Sequence, residues 1–214
     1  MENIGNIILG IMIPFVGTTL GAACVYFMKK GIRQNVEKGL LGFASGVMVA
    51  ASVWSLLIPA MEMCEPAGKL AFVPAAVGFS IGIVFLWGLD KLIPHLHMGS
   101  DTPEGPKSNL KKTTMLVFAV TLHNLPEGMV VGLAAALALQ GEPEAVSGAL
   151  ALALGIGLQN IPEGAAVSLP LTQSGRTRGQ SFAAGAASGL VEPLGAVLAF
   201  VLAEWVGAAL PWLM

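Results

Sequence analysis

Long apolar runs alternate with short polar breaks along the chain, and the length of the runs sets the first expectation. A helix rises about 1.5 Å per residue, so about 20 apolar residues cross the roughly 30 Å of bilayer hydrocarbon. Six stretches meet that length, at 4–28, 39–61, 70–90, 114–140, 145–171 and 180–204, and a seventh begins at Val206 and stops at Met214. We call the six spans one to six. The pattern predicts an all-α, polytopic transmembrane helix bundle with six full spans and the start of a seventh. It forms one domain over 1–214 that is expected to be C-terminally incomplete. The longest connection, 91–113, holds Pro94, Pro103 and Pro106 among mixed charges and reads as a flexible loop.

Composition strengthens that picture. Of the 214 residues, 55% are hydrophobic and 11% charged, with a mean hydropathy of +0.76. Soluble domains carry about 25% charged residues, so the lipid bilayer is the solvent this surface fits. A net charge of −2 gives no reason to expect a nucleic-acid partner. Glu2, with no basic residue before the first apolar run, does not fit a secretory leader, and span one is expected to be retained. Cys24 and Cys64 form no CxxC pair and read as small buried hydrophobes.

Charge placement gives an orientation. Lys29, Lys30, Arg33 and Lys38 lie in the first connection, Lys91, Lys107, Lys111 and Lys112 in the third, and Arg176 and Arg178 in the fifth. Only Lys69, in the second connection, departs from the pattern. The positive-inside rule therefore puts these odd-numbered connections, 91–113 included, in the cytoplasm and the N-terminus outside. The opposite side carries Glu2, Glu62, Glu65, Glu142, Glu144 and Glu204. That acidic rim reads equally as a weak cation collector and as ordinary solvated loop charge.

Away from the span ends, four acidic or imidazole side chains remain inside the spans: His123, Glu127, Glu163 and Glu192. A charged side chain at mid-membrane costs about 2.5–3.5 kcal/mol on insertion scales, and it persists where it meets a cavity, a partner or an ion. No Lys or Arg lies deep in a span to pair with these glutamates, which leaves a bound cation or protonation. Spacing favours the cation. His123, Asn124 and Glu127 belong to HNLPEG in span four, and Gln159, Asn160 and Glu163 to QNIPEG in span five. Residues i, i+3 and i+4 share a helix face, so each helix presents one stripe of N and O ligands. Imidazole nitrogen with carboxylate oxygen suits zinc and other first-row divalent ions.

Proline adds to the signal. Pro126 and Pro162 lack an N–H and clash with the carbonyl four residues back, which predicts helices broken beside the ligands. Paired broken helices near the midplane are a known layout for transporter sites. The motifs stand 36 residues apart on consecutive, antiparallel spans, a sign of an inverted repeat. Glu192, in VEP of span six, is a third carboxylate donor in this company. Met48 and Ser55 share a face of span two, where Met48 is either a soft ligand or core filler. His95 and His97, in PHLH, read as an exposed pair or as a transient metal-capture point at the exit.

At these motifs the chain resembles the ZIP family of metal transporters, in particular its bacterial GufA-like branch. The resemblance runs through ASGVMVAASVWSLLIPA, LDKLIPHLH, HNLPEG, QNIPEG and SGLVEPLGA, and so covers the whole length. It implies uptake of Zn²⁺ and related ions (Fe²⁺, Mn²⁺, Co²⁺ or Cd²⁺) toward the cytoplasm. It also implies an eight-span fold with a binuclear metal site between helices four and five, and alternating access by a helix bundle sliding against a scaffold. Carried over by position, His123, Glu127, Gln159, Glu163 and Met48 look like the transport site. Asn124, Asn160 and Glu192 look like a second site bridged by Glu127 and Glu163, with Ser55 near the entrance. Many relatives have His where this chain has Gln159, which broadens or shifts the expected ion choice. The expected partners are divalent metal ions and the bilayer, with a homodimer left open. No catalytic cofactor and no enzymatic activity are expected. The competing readings are an intramembrane metal-dependent hydrolase, disfavoured by the absence of HExxH, and a cation channel on the same carboxylates.

Overall fold

The computed structural model describes residues 2–28, 34–94, 102, 104–107, 109–140, 143–205 and 212. His95, His97 and most of the expected seventh span lie outside the described residues; Trp212 is described and sits beside Gly78 of span three. Six helical stretches among the described residues are long and apolar enough to cross a membrane, and they match the six expected spans to within a few residues at each end. The chain is a multi-pass helical membrane protein.

Span one is the helix Glu2–Ala22, tightened into a 3-10 turn over Ala23–Tyr26. Span two runs Gln34–Ala50, widens to π winding over Ala51–Leu57, and returns to α over Ile58–Met63. The widening ends just before Pro59, which offers no N–H to the turn behind it, and the Ile58 N–H reaches back to the Val53 carbonyl. Span three is Phe72–Leu92. Spans four and five are the single helices Lys112–Gln140 and Pro143–Gln173. Span six starts on a capping box between Thr177 and Gln180 and has two parts, Arg178–Gly189 and Val191–Trp205.

One of these features corrects an expectation. Spans four and five are not broken at Pro126 and Pro162; each continues as α-helix through its proline. The carbonyls of Leu122 and Leu158 still lose their i+4 donor, but in hydrocarbon the neighbouring backbone groups have no partner outside the helix, so the helix holds. Span six is interrupted at the single residue Leu190, whose backbone stays in the right-handed helical region, and it still forms one membrane-length stretch, Arg178–Ala203. Pro193 follows three residues later and its ring opposes the carbonyl of Gly189, as Pro126 and Pro162 oppose those of Leu122 and Leu158 in helices that stay continuous. Glu192 falls in the first turn of the second part.

Spans one, four, five and six form the packed bundle. Span one lies along span five and span six along span four, in close contact. A Cβ on Gly17 or Gly21 would stand 2.1 or 2.0 Å from the carbonyl oxygens of Gly157 and Ile161. On the other pair, a Cβ on Gly128 or Gly132 would stand 2.1 or 2.0 Å from the carbonyl oxygens of Glu192 and Ala196. Both crossings are small-xxx-small contacts in which the backbones themselves touch. Apolar clusters fill the remaining space: Val131, Leu152, Ala153 and Ile156 on one side, and Val120, Val167 and Leu171 on another. Span two reaches the bundle through Ala51, which packs on the first of these clusters.

Candidate metal site

The glycine crossings decide what lies at the centre of the bundle. Gly128 follows Glu127 and Gly164 follows Glu163, so each close approach falls one residue past a motif carboxylate. The motif faces are thereby drawn inward. Glu192 and Asn124 are fully buried, Asn160 is fully buried, and Gln159 and Glu127 are 2% and 9% exposed.

The side chains meet in two groups. In the first, one ligand atom each from His123, Glu127 and Glu163 lie within 4.8 Å of one another. His123 Nε2 is 3.4 Å from Glu127 Oε1, the i, i+4 contact expected along span four. Gln159 reaches across from span five and donates from Nε2 to the same Oε1 at 2.5 Å. In the second group, Asn124 donates from Nδ2 to Glu192 Oε1 at 2.9 Å and to the Ser188 carbonyl at 3.2 Å. Thr18 of span one donates its hydroxyl to the same Glu192 oxygen at 2.5 Å. The first group is open on the His123 side, where the ring is 54% exposed, and closes toward Glu192.

These contacts use only part of the polar capacity. Asn124 Oδ1, Glu127 Oε2, Gln159 Oε1, Asn160 Oδ1 and Glu192 Oε2 are all buried without a hydrogen-bond partner. Buried polar atoms are paired in the great majority of native structures, and an orphan costs about 1–3 kcal/mol. Orphaned acceptors gathered on facing helices therefore call for a ligand that is positive or donates hydrogen. Carboxylate and amide oxygens with one imidazole nitrogen are the donor set of a borderline or hard divalent cation.

All the motif residues of spans four, five and six named from the sequence lie in these two groups or, for Asn160, among the orphaned atoms between the same helices. Met48 is half-buried on span two, three residues before the Ala51 contact with span five. Ser55 lies within the π-wound stretch. The residue that the motif reading missed is Thr18. Its signal was a hydroxyl inside the Gly17-xxx-Gly21 pattern of span one, a place where polar side chains bond across helices.

Comparison with known proteins agrees with the family resemblance read from the sequence. The family model described as ZIP zinc transporter matches residues 100–214, which carry both PEG motifs and VEP. The human protein called zinc transporter ZIP11 is 33% identical, over 92% of this chain and 81% of its own. Zinc transporter GufA of Myxococcus xanthus is 33% identical, over 91% of this chain and 75% of its own. Zinc transporter ZIPB of Bordetella bronchiseptica is 33% identical, over 98% of this chain and 66% of its own. A match of this extent, centred on the helices that bring the carboxylates together, means that the chain belongs to the ZIP family of zinc transporters.

Proposed function

We propose that this chain moves zinc, as substrate, across the bilayer toward the cytoplasm through a site between spans four and five. The observation that carries the reading is the set of orphaned buried oxygens beside the His123–Glu127–Glu163 cluster. His123, Glu127, Gln159 and Glu163 hold the ion at a first position, and Met48 adds a thioether from span two. Asn124, Asn160 and Glu192 hold a second ion, with Glu127 and Glu163 bridging the two. The relatives named as zinc transporters support zinc as the main cargo; Fe²⁺, Mn²⁺, Co²⁺ and Cd²⁺ are further candidates for the same donors, which do not by themselves rank the ions.

The three carboxylates supply the counter-charge that makes a divalent ion tolerable at membrane depth. With the N-terminus outside, span four runs from the cytoplasm outward, so His123, with its exposed ring, lies on the cytoplasmic side of Glu127, and the buried Glu192 side is where water is excluded. Positive charge on the odd-numbered connections supports an outside N-terminus, so inward passage ends at the 91–113 loop, with His95 and His97 near the exit.

The test is zinc accumulation by cells that lack their own uptake systems and express this chain. Uptake should be saturable and lost in Glu127→Ala and Glu163→Ala, with protein levels unchanged. Normal accumulation by either variant would show that the site is elsewhere, and large unitary currents would favour a channel.

A further inference from the structure

Span one carries no part of the paired motifs, yet it contributes one hydroxyl to the most deeply buried carboxylate. Thr18 is fully buried. Its Oγ1 lies 2.5 Å from Glu192 Oε1 and 3.4 Å from the Pro14 carbonyl, the other acceptor within its reach. Two glycines make that approach feasible. A Cβ on Gly164 would stand 2.0 Å from the Thr18 carbonyl oxygen, and one on Gly189 would stand 2.9 Å from Thr18 Cβ and 3.2 Å from Glu192 Oε1. Both positions are bare, so span one settles against spans five and six with Thr18 wedged over Glu192.

We propose that Thr18 is the positioning residue for Glu192, fixing one carboxylate oxygen so that the other is presented to a divalent ion. The terminal torsion of a glutamate is broad and roughly two-fold, so an unsupported carboxylate sweeps many orientations. Here Oε1 receives two donors, the Thr18 hydroxyl and the Asn124 amide, from spans one and four. Two donors on one oxygen set the plane of the group. Oε2 is left buried and without a protein partner. Thr18 does not touch the ion; it acts through Glu192, as outer-shell partners orient metal-ligating side chains. Span one is thereby tied to the site chemically as well as by packing, although no motif marks it.

The proposal rests on the reading of Glu192 as an ion ligand, and the test separates the two. Zinc binding to the purified chain in nanodiscs is measured by equilibrium dialysis, and folding is followed by thermal unfolding. Thr18→Val keeps the shape and removes the hydroxyl; Thr18→Ser keeps the hydroxyl and removes the methyl that packs on Gly189. Positioning predicts about tenfold weaker binding in Thr18→Val, the scale of a hydrogen bond to a charged group, and binding within about twofold of the parent in Thr18→Ser. A packing role predicts the reverse order, with Thr18→Ser the worse of the two. Should Thr18→Val not fold, Thr18→Ala makes the same comparison against Thr18→Ser. Parent-like binding by whichever of Thr18→Val and Thr18→Ala folds overturns the proposal. Parent-like binding by Glu163→Gln and Glu192→Gln would instead overturn the site reading beneath it.

Discussion

Spans two and three resemble the rest of the chain in composition and differ from it in packing. Their mean hydropathies are 1.9 and 2.0, above the 1.4 of spans four and five, yet none of the most apolar stretch of span two and 6% of that of span three are buried, against 33% and 39%. Spans two and three are thus less buried than the less apolar spans four and five, while span one, also at 2.0, is 39% buried, so apolarity does not set burial. In water the order would be reversed, because burial there follows hydrophobicity. In a bilayer lipid solvates Leu and Phe as well as another helix does, so apolarity carries no instruction to pack. Span three accordingly leaves Phe79, Ile83, Phe85 and Trp87 exposed on its surface.

What distinguishes the packed spans is where their small and polar residues fall. Gly17, Gly21, Gly128, Gly132 and Gly164 each meet the backbone of another bundle helix, while in spans two and three Gly39, Gly42, Gly46, Gly82 and Gly88 face open space and Gly78 meets the Trp212 carbonyl. The hydrogen bonds among Thr18, Asn124, Gln159, Glu127 and Glu192 all lie within the packed group. The helices that hold the candidate ion site are thus the ones bound to one another by glycine and by polar side chains.

Substitutions in each region test that contrast. The largest effect is expected at the carboxylates. Losing an outer-shell partner costs metal sites about 10–100-fold, so Glu163→Gln should weaken zinc binding by more than about 100-fold, while Glu62→Gln, at the exposed end of span two, should leave it unchanged. Isothermal titration calorimetry reads both. Next is Gly164→Ala, whose new methyl would press on the Thr18 carbonyl at 2.0 Å. Overpacking of this kind costs about 1–3 kcal/mol, visible as a lowered Tm in detergent. Met48→Ala should weaken zinc binding about fivefold, or ~1 kcal/mol, if a thioether joins the first position; no change would leave Met48 as filler. The smallest effect is Gly46→Ala. With open space around it, alanine's better helix propensity should raise stability by no more than about 1 kcal/mol, and a marked loss would mean that span two is packed after all.

Much of this was legible in the sequence, for reasons that differ from part to part. The spans could be read because bilayer thickness fixes a length that apolar runs must meet, and span three, expected at 70–90, is the helix Phe72–Leu92. HNLPEG and QNIPEG could be read because a glutamate deep in hydrocarbon has few reasons to exist, and the fold brings Glu127 and Glu163 into one cluster. Proline was read with the right chemistry and the wrong outcome. Pro126 and Pro162 leave their helices continuous, and near Pro193 span six is interrupted only at Leu190, so the clash four residues back does not by itself break a helix here. The pairing of Thr18 with Glu192 spans 174 positions along the chain and depends on two bare glycines on other helices, so no local pattern announces it.

The central claim is that the acidic groups within spans four, five and six exist to hold a divalent ion. Anomalous scattering at the zinc edge, on crystals of the protein grown with zinc, tests it most directly. The account predicts a peak bounded by His123, Glu127, Gln159 and Glu163, and a second toward Asn124, Asn160 and Glu192. A map with no peak between those helices, or with Glu127 and Glu163 turned apart toward lipid, would contradict it.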